Sequence, residues 1–200
     1  MGITERRIRQ KEEVRTGILR AAWQLVQDDG WQSLSIRKIA DAIEYSVPVI
    51  YDHFENKDAI LMEFSKEGFS CLCDRMEEAK NKFEDPAQQL EAMGFAYWKF
   101  AFQNKEYYQV MFGLGMSTCE IAKKIPEMAR FGNLIQSTLN DIMDKDNNLS
   151  VSPFLKFNTF WSLLHGLVSL NMMGQSTAHA EMNQAILKDS ITGFIKSLKG

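Results

Sequence analysis

The sequence predicts an all-α protein: a three-helix head, a long connecting helix and a larger helical bundle, about nine helices in all. Three observations carry that expectation. Apolar residues recur at three- and four-residue spacing along most of the chain, and the two-residue alternation of half-buried strands is scarce. Only 4 Pro and 12 Gly interrupt the 200 residues, so long helices can run. Helix-starting and helix-stopping residues stand where the apolar runs begin and end.

Residues 1–12 are polar and charged and are expected to form a frayed arm. Val14, Ile18, Ala21, Ala22, Leu25 and Val26 then place one apolar stripe on a helix over 13–29, with Gly30 just past its end. Ser35 is a fair N-cap for a second helix, whose inner face is Ile36, Ile39, Ala40 and Ile43. Glu44 and Tyr45 occupy a turn. Ser46 opens a third helix with Ile50 and Phe54 inward, and Pro48 is tolerated in its first turn because those amides lack intrahelical partners.

Asn56 caps a fourth helix running to about Lys82, with the Asp58 carboxylate in the first turn, where the helix dipole favours it. Asp85-Pro86 restarts the chain as a cap followed by proline at the first helical position. The fifth helix, to about Asn104, is apolar nearly all round and is expected at the centre of a bundle. A short helix over Tyr107–Phe112 is broken by Gly113 and Gly115. A helix over 121–143, bent or interrupted near Pro126, leads to a loop at 144–148. Ser152-Pro153 opens a helix to Gly174, 175–180 is a polar loop, and the last helix covers 181–199. The head is taken as residues 1–55 and the remainder as 56–200.

Composition narrows the function. The formal charge is −3, so the chain is not a polycation, but residues 1–20 set six cations against three carboxylates, a local excess of three. Cys71, Cys73 and Cys119 show no metal spacing, and so sparse a count suits a reducing cytoplasm. No apolar run suggests a signal peptide or reaches the length of a membrane span. His53, His165 and His179 lack metal-ligand spacing, and neither a Gly-rich phosphate loop nor a Glu-x-x-His site occurs. The residues therefore point away from an enzyme and away from any metal or cofactor.

Two short helices joined by a tight turn form a helix-turn-helix unit, whose second helix lies in the DNA major groove. Here the second helix spans Ser46 to Phe54 and is expected to turn Val47, Val49, Tyr51, Asp52 and His53 outward. Such a face offers apolar contact to thymine methyls and hydrogen bonds to phosphates.

At this point the residues match a known pattern. Ile39-Ala40, Ala42, Ser46, Ile50-Tyr51, His53-Phe54, Lys57 and Ile60-Leu61 resemble, at consistent spacing, the signature of tetracycline-repressor (TetR) family transcription regulators. The match covers roughly the first 65 residues. Trp161, His165 and Gly166 resemble the Trp-His-Gly pattern of one subgroup of the C-terminal domains. One departure stands out: the family usually has Gly in the turn, where this chain has Glu44, so αL backbone at a cost or a changed helix angle is expected.

The resemblance implies a ligand-responsive regulator binding a palindromic DNA operator as a homodimer through 152–174 and 181–199. It places Tyr51 and His53 on the DNA backbone, Lys57 on a phosphate and Arg37 on a base edge or phosphate. Ser46 begins the reading helix, and Val47, Pro48 and Val49 fall at base-reading positions. Residues Arg6 to Lys11 are either a solvated arm or a further DNA contact.

Trp98, Phe102, Met111, Phe112, Phe131, Phe157 and Trp161 read either as plain core or as the wall of an apolar effector pocket, since both are built from Met and aromatics. His165 is either a satisfied core histidine or a polar group of that pocket. The rival class is a helical adaptor with a vestigial head. Salt-dependent affinity for duplex DNA separates the two.

Overall fold

A computed structural model describes residues 3–113, 125–145, 152–173 and 180–199. Among them are nine α-helices and no strand. These are α1 (Ile3–Asp29), α2 (Ile36–Ala42), α3 (Val47–Tyr51), α4 (Lys57–Lys80), α5 (Pro86–Gln103), α6 (Lys105–Phe112), α7 (Pro126–Lys145), α8 (Pro153–Met173) and α9 (Ala180–Lys196). A single 3-10 turn, Trp31–Ser33, links α1 to α2.

The starts follow local chemistry. The Ser35 hydroxyl accepts from the Lys38 amide, the Asn56 side chain from Ala59, and the Asp85 carboxylate from Gln88. Each satisfies one of the four amides a helix start leaves unbonded. Ser152 caps α8 in the same way, accepting from Leu155. Gly30 ends α1 at φ +78, a left-handed conformation that glycine adopts without strain.

Two cores result. The head core gathers Ile18, Ala22, Val26, Trp31, Leu34, Ile39, Ala40, Ile50 and Phe54, and adds Ile60, Leu61 and Phe64 of α4 and Val110 of α6. It therefore reaches past residue 55. The bundle core takes Phe69, Leu72, Cys73 and Met76 from α4, together with Tyr108 and Met111 of α6 and the inner faces of α5, α7, α8 and α9. Helices α4 and α6 thus each contribute one part to the head and another to the bundle. They pack so closely that a Cβ on Gly68 would stand 2.6 Å from Met111 Sδ. The Trp31 indole N–H donates to the Glu106 carbonyl at 2.9 Å, and Trp23 stacks on Tyr107 at 4.3 Å, fastening the head to α6.

Several expectations change. The charged arm is helical from Ile3: α1 continues two turns and more beyond the last residue it packs, because its polar residues are good helix formers. Of the bend or interruption expected near Pro126 the structure has the interruption: Pro126 opens α7 after a non-helical Ile125, and residues 121–124 lie outside the described residues. Ser46 occupies the N-cap position of α3, but its side chain makes no capping bond. Asp144 and Lys145 belong to α7, and Ala180 to α9. Gly115, Cys119, Gly174 and the expected loop residues 146–148 and 175–179 lie outside the described residues.

Glu44 takes the αL conformation, with φ +58. The Tyr45 amide donates to Ala40 O at 3.0 Å and the Glu44 amide to Asp41 O at 3.3 Å. That is a Schellman closure of α2 with a glutamate where glycine is usual. An L-residue pays about 1–2 kcal/mol for this backbone. Glu44→Gly is therefore expected to stabilise the protein by about 1 kcal/mol, after allowing for the extra freedom of glycine in the unfolded chain. Urea denaturation checks this; a loss of stability would contradict the strain argument.

Candidate nucleic-acid interface

Helix α3 is short and lies on the head surface, held from beneath by the buried Ile50 and Phe54. Tyr51 is 52 % exposed, and Arg37 and Pro48 are exposed beside it. The Ser46 hydroxyl, free of any capping bond, is exposed at the start of the helix. Val49 is half-buried. Val47 is half-buried as well and packs against the head core, so it is less outward than the spacing suggested. Residues two apart on an α-helix lie about 200° apart around the axis, so Val47, Val49 and Tyr51 cannot all share one outward face.

His53 is half-buried, and its Nδ1 is buried without a hydrogen-bond partner. Lys57 is tied down: its ammonium donates to the Leu34 carbonyl at 2.7 Å, bridging the start of α4 to the entrance of α2. Two of its three protons remain for another acceptor. The eight candidate DNA-contacting residues therefore run from Arg37 on α2, through Ser46 at the N-cap of α3, α3 itself and His53 after it, to Lys57 at the first position of α4.

The aromatic residues of the bundle form a second constellation. Phe112, Phe131, Phe157, Trp161 and His165 interlock at ring separations of 5.2 to 6.5 Å. Met111 is buried against α4 on the same helix as Phe112. Trp98 and Phe102 pair with each other at 4.7 Å and are only partly buried. Around the α5 axis they sit away from the inner face formed by Leu90, Met93, Tyr97, Phe100 and Ala101.

Two residues absent from the sequence-based set lie at the centre instead. Tyr97 and Tyr108 bond to each other through their hydroxyls at 3.0 Å, and the Tyr108 hydroxyl meets His165 Nδ1 at 2.5 Å. Their signal was present: Leu90, Met93, Tyr97 and Phe100 recur at helical spacing, which selects Tyr97 over Trp98. Burial holds His165 below its ordinary value and both tyrosines above theirs. A neutral His165 accepting at Nδ1 from Tyr108, with Tyr97 donating to the Tyr108 oxygen, satisfies all three groups. The Trp161 indole N–H is buried beside the Tyr97 hydroxyl. Burial also pushes the Cys73 thiol up to about 12, which makes it an inert core residue.

His165 gives a pH signature. Its folded value lies below the unfolded 6.5, so the unfolded chain binds more protons between the two. Stability is expected to fall as pH drops through 6.5 and to level off below the folded value. The Glu63 carboxyl is raised by burial but more strongly lowered by hydrogen bonds from Lys66 and Arg15, so its loss comes only below 4.5. In His165→Gln the slope near pH 6 is expected to vanish. An unchanged slope in thermal denaturation would assign it elsewhere.

Among the described residues no helix is long and apolar enough to cross a membrane, and no group of His, Cys, Asp and Glu could hold a metal ion. The fold and the exposed reading helix define a DNA-binding transcription regulator with a helix-turn-helix head on a helical bundle. Residues 18–64 match the family described as bacterial regulatory proteins, tetR family, and residues 90–193 match the tetracyclin repressor-like C-terminal domain. The chain belongs to the TetR family, whose members bind DNA and respond to small-molecule effectors. Trp161, His165 and Gly166 fall within the second match.

Solved structures share the fold. A protein of unknown function from Rhodococcus sp. RHA1 is 18 % identical, with a TM-score of 0.74 over 93 % of this chain and 95 % of its own. The transcriptional regulator FadR from Bacillus subtilis, in complex with stearoyl-CoA, is 19 % identical, with a TM-score of 0.69 over 89 % and 98 %. The TetR family regulator PfmR from Thermus thermophilus is 20 % identical, with a TM-score of 0.64 over 90 % and 97 %. No curated protein sequence matches the chain.

Proposed function

We propose that the chain is a repressor that binds a palindromic operator as a homodimer and is released by a small apolar or amphipathic effector. The observation that carries this reading is the sharing of α4 and α6 between the two cores. A molecule wedged among Phe112, Phe131, Trp161 and His165 must displace α6, and α6 holds Trp23 and Trp31 of the head. The head then tilts, and two paired heads lose the spacing of about 34–36 Å that successive major grooves require. The effector acts only through its differential affinity for the two arrangements. Stearoyl-CoA, bound by a regulator of similar fold, makes long apolar chains the first effectors to try.

The homodimer reading rests on an uncovered face. Leu155, Leu170 and Met182 are 59, 64 and 59 % exposed on α8 and α9, opposite the faces that enter the bundle core. On the same faces a Cβ at Gly166 or Gly193 would meet nothing, so a second copy can approach closely there.

Within the head, Arg37, Ser46, Pro48, Val49, Tyr51, His53 and Lys57 are the contacts of this reading, with Val47 the least available. Selection of bound sequences from random duplex DNA is expected to enrich a palindrome. Tyr51→Ala should then weaken binding to it by about tenfold or more, the loss of one good contact per protomer, while leaving the melting temperature in place. Failure to enrich any palindrome would sink the operator reading and favour the helical adaptor.

A further inference from the structure

Helix α1 is 27 residues long, but only its second half is packed. Residues 4–13 are exposed on every side. Two anchors set the direction in which this free end points. Trp23 stacks on Tyr107 and Trp31 reaches Glu106, so the C-terminal end of α1 faces the bundle. Arg15, two turns nearer the start, lies over the Phe54 ring at 4.9 Å and pairs with Glu63 at 2.8 Å, level with the end of α3. The segment before Arg15 therefore overhangs the head on the side away from the bundle, where duplex DNA would meet α3.

The charges on the overhang are sorted by face. At about 100° per residue, Arg7 and Lys11 fall within about 20° of the line through Ile18, which lower on the helix is the buried stripe. Glu5, Glu12 and Glu13 lie more than about 100° away from that line by the same geometry. The stripe thus changes from Ile18 and Val14 to Lys11 and Arg7 where the head core ends. Lys11 and Arg7 stand about 6 and 12 Å beyond Arg15 along the axis, by a rise of 1.5 Å per residue.

We infer that the overhanging start of α1 is a phosphate clamp, in which Arg7 and Lys11 grip the DNA backbone outside the footprint of α2 and α3. The partner is the duplex itself, by charge complementarity and by continuity with the interface just described; the inference rests on the DNA-binding reading of the head. The clamp reads no bases, so it adds affinity for every sequence and adds to the salt dependence.

The test uses the full-length protein and a labelled duplex of arbitrary sequence, about 30 base pairs long, titrated by fluorescence anisotropy from about 50 to 200 mM salt. Arg7→Ala with Lys11→Ala keeps the helix, because alanine is the best helix former. This double variant is expected to lose on the order of tenfold in affinity and to flatten the log–log salt slope by about 0.9 for each phosphate contact removed. Arg20→Ala with Lys105→Ala removes the same charge from positions away from the overhang and is expected to change neither quantity comparably. Equal losses in the two double variants, or none in the first, would overturn the clamp. A wild-type protein that bound no duplex would overturn the DNA-binding reading beneath it, and its failure would be visible before any variant was compared.

Discussion

Leu170→Asp combined with Met182→Asp is expected to convert the proposed homodimer into monomers at micromolar concentration, with the protomer still folded. Both side chains are exposed in the protomer, so neither substitution creates a cavity. In a two-fold dimer each change appears twice, so four carboxylates are buried in one interface. An unpaired buried charge costs several kcal/mol, and central apolar anchors account for about 2 kcal/mol or more each. The dissociation constant should rise by more than about a thousandfold, each 1.4 kcal/mol being a factor of ten. Operator affinity should collapse with it, because each protomer then holds one half-site alone. Sedimentation velocity decides the first point and anisotropy the second. A wild-type monomer, or a variant still dimeric, would contradict the assignment of this face.

Phe131→Ala is expected to cost about 3–5 kcal/mol, the usual range for deleting a buried ring. Phe131 is 1 % exposed and touches rings from four other places in the bundle: Phe69 at 6.2 Å, Tyr97 at 6.1 Å, Phe157 at 6.3 Å and Trp161 at 6.0 Å. It holds α7 to α4, α5 and α8 together, so the surroundings cannot collapse into the space by moving one helix. Denaturation followed by far-ultraviolet dichroism and by tryptophan fluorescence should give one transition shifted to lower urea, since Trp23 and Trp31 of the head share α4 and α6 with the bundle. A loss under about 1 kcal/mol would mean that the site repacks. Two separate transitions would mean that the shared helices do not couple the cores.

Much of the molecule was legible because its signals are local. Ser35, Asn56 and Asp85 bond amides three residues on, and Gly30 closes α1 through Val26. The helix-turn-helix stretch was readable for the same reason: spacing alone placed Ile39, Ala40, Ile50 and Phe54 inward and Tyr51 outward. Even the Glu44 departure marked the αL position that the structure confirms. The aromatic constellation of the bundle was only half legible. Helix α5 is apolar nearly all round, so Trp98 and Phe102 stood out by size while Tyr97, on the inner face, did not. The charged start of the chain read as an arm because nothing packs on it, yet a helix continues through it.

By itself the sequence determined most of the helices, the caps at Ser35, Asn56 and Asp85, and the inward face of the head, all set by bonds and contacts within about one or two turns of chain. Tertiary structure alone decided which faces meet. The bond from Trp31 to Glu106 spans 75 residues, that from Ser65 to Val110 spans 45, and that from Tyr108 to His165 spans 57. No local rule encodes these pairings, because they depend on how several apolar stripes are buried together. From them come the joining of head to bundle, the buried Tyr97–Tyr108–His165 group, and the direction in which the first turns of α1 project.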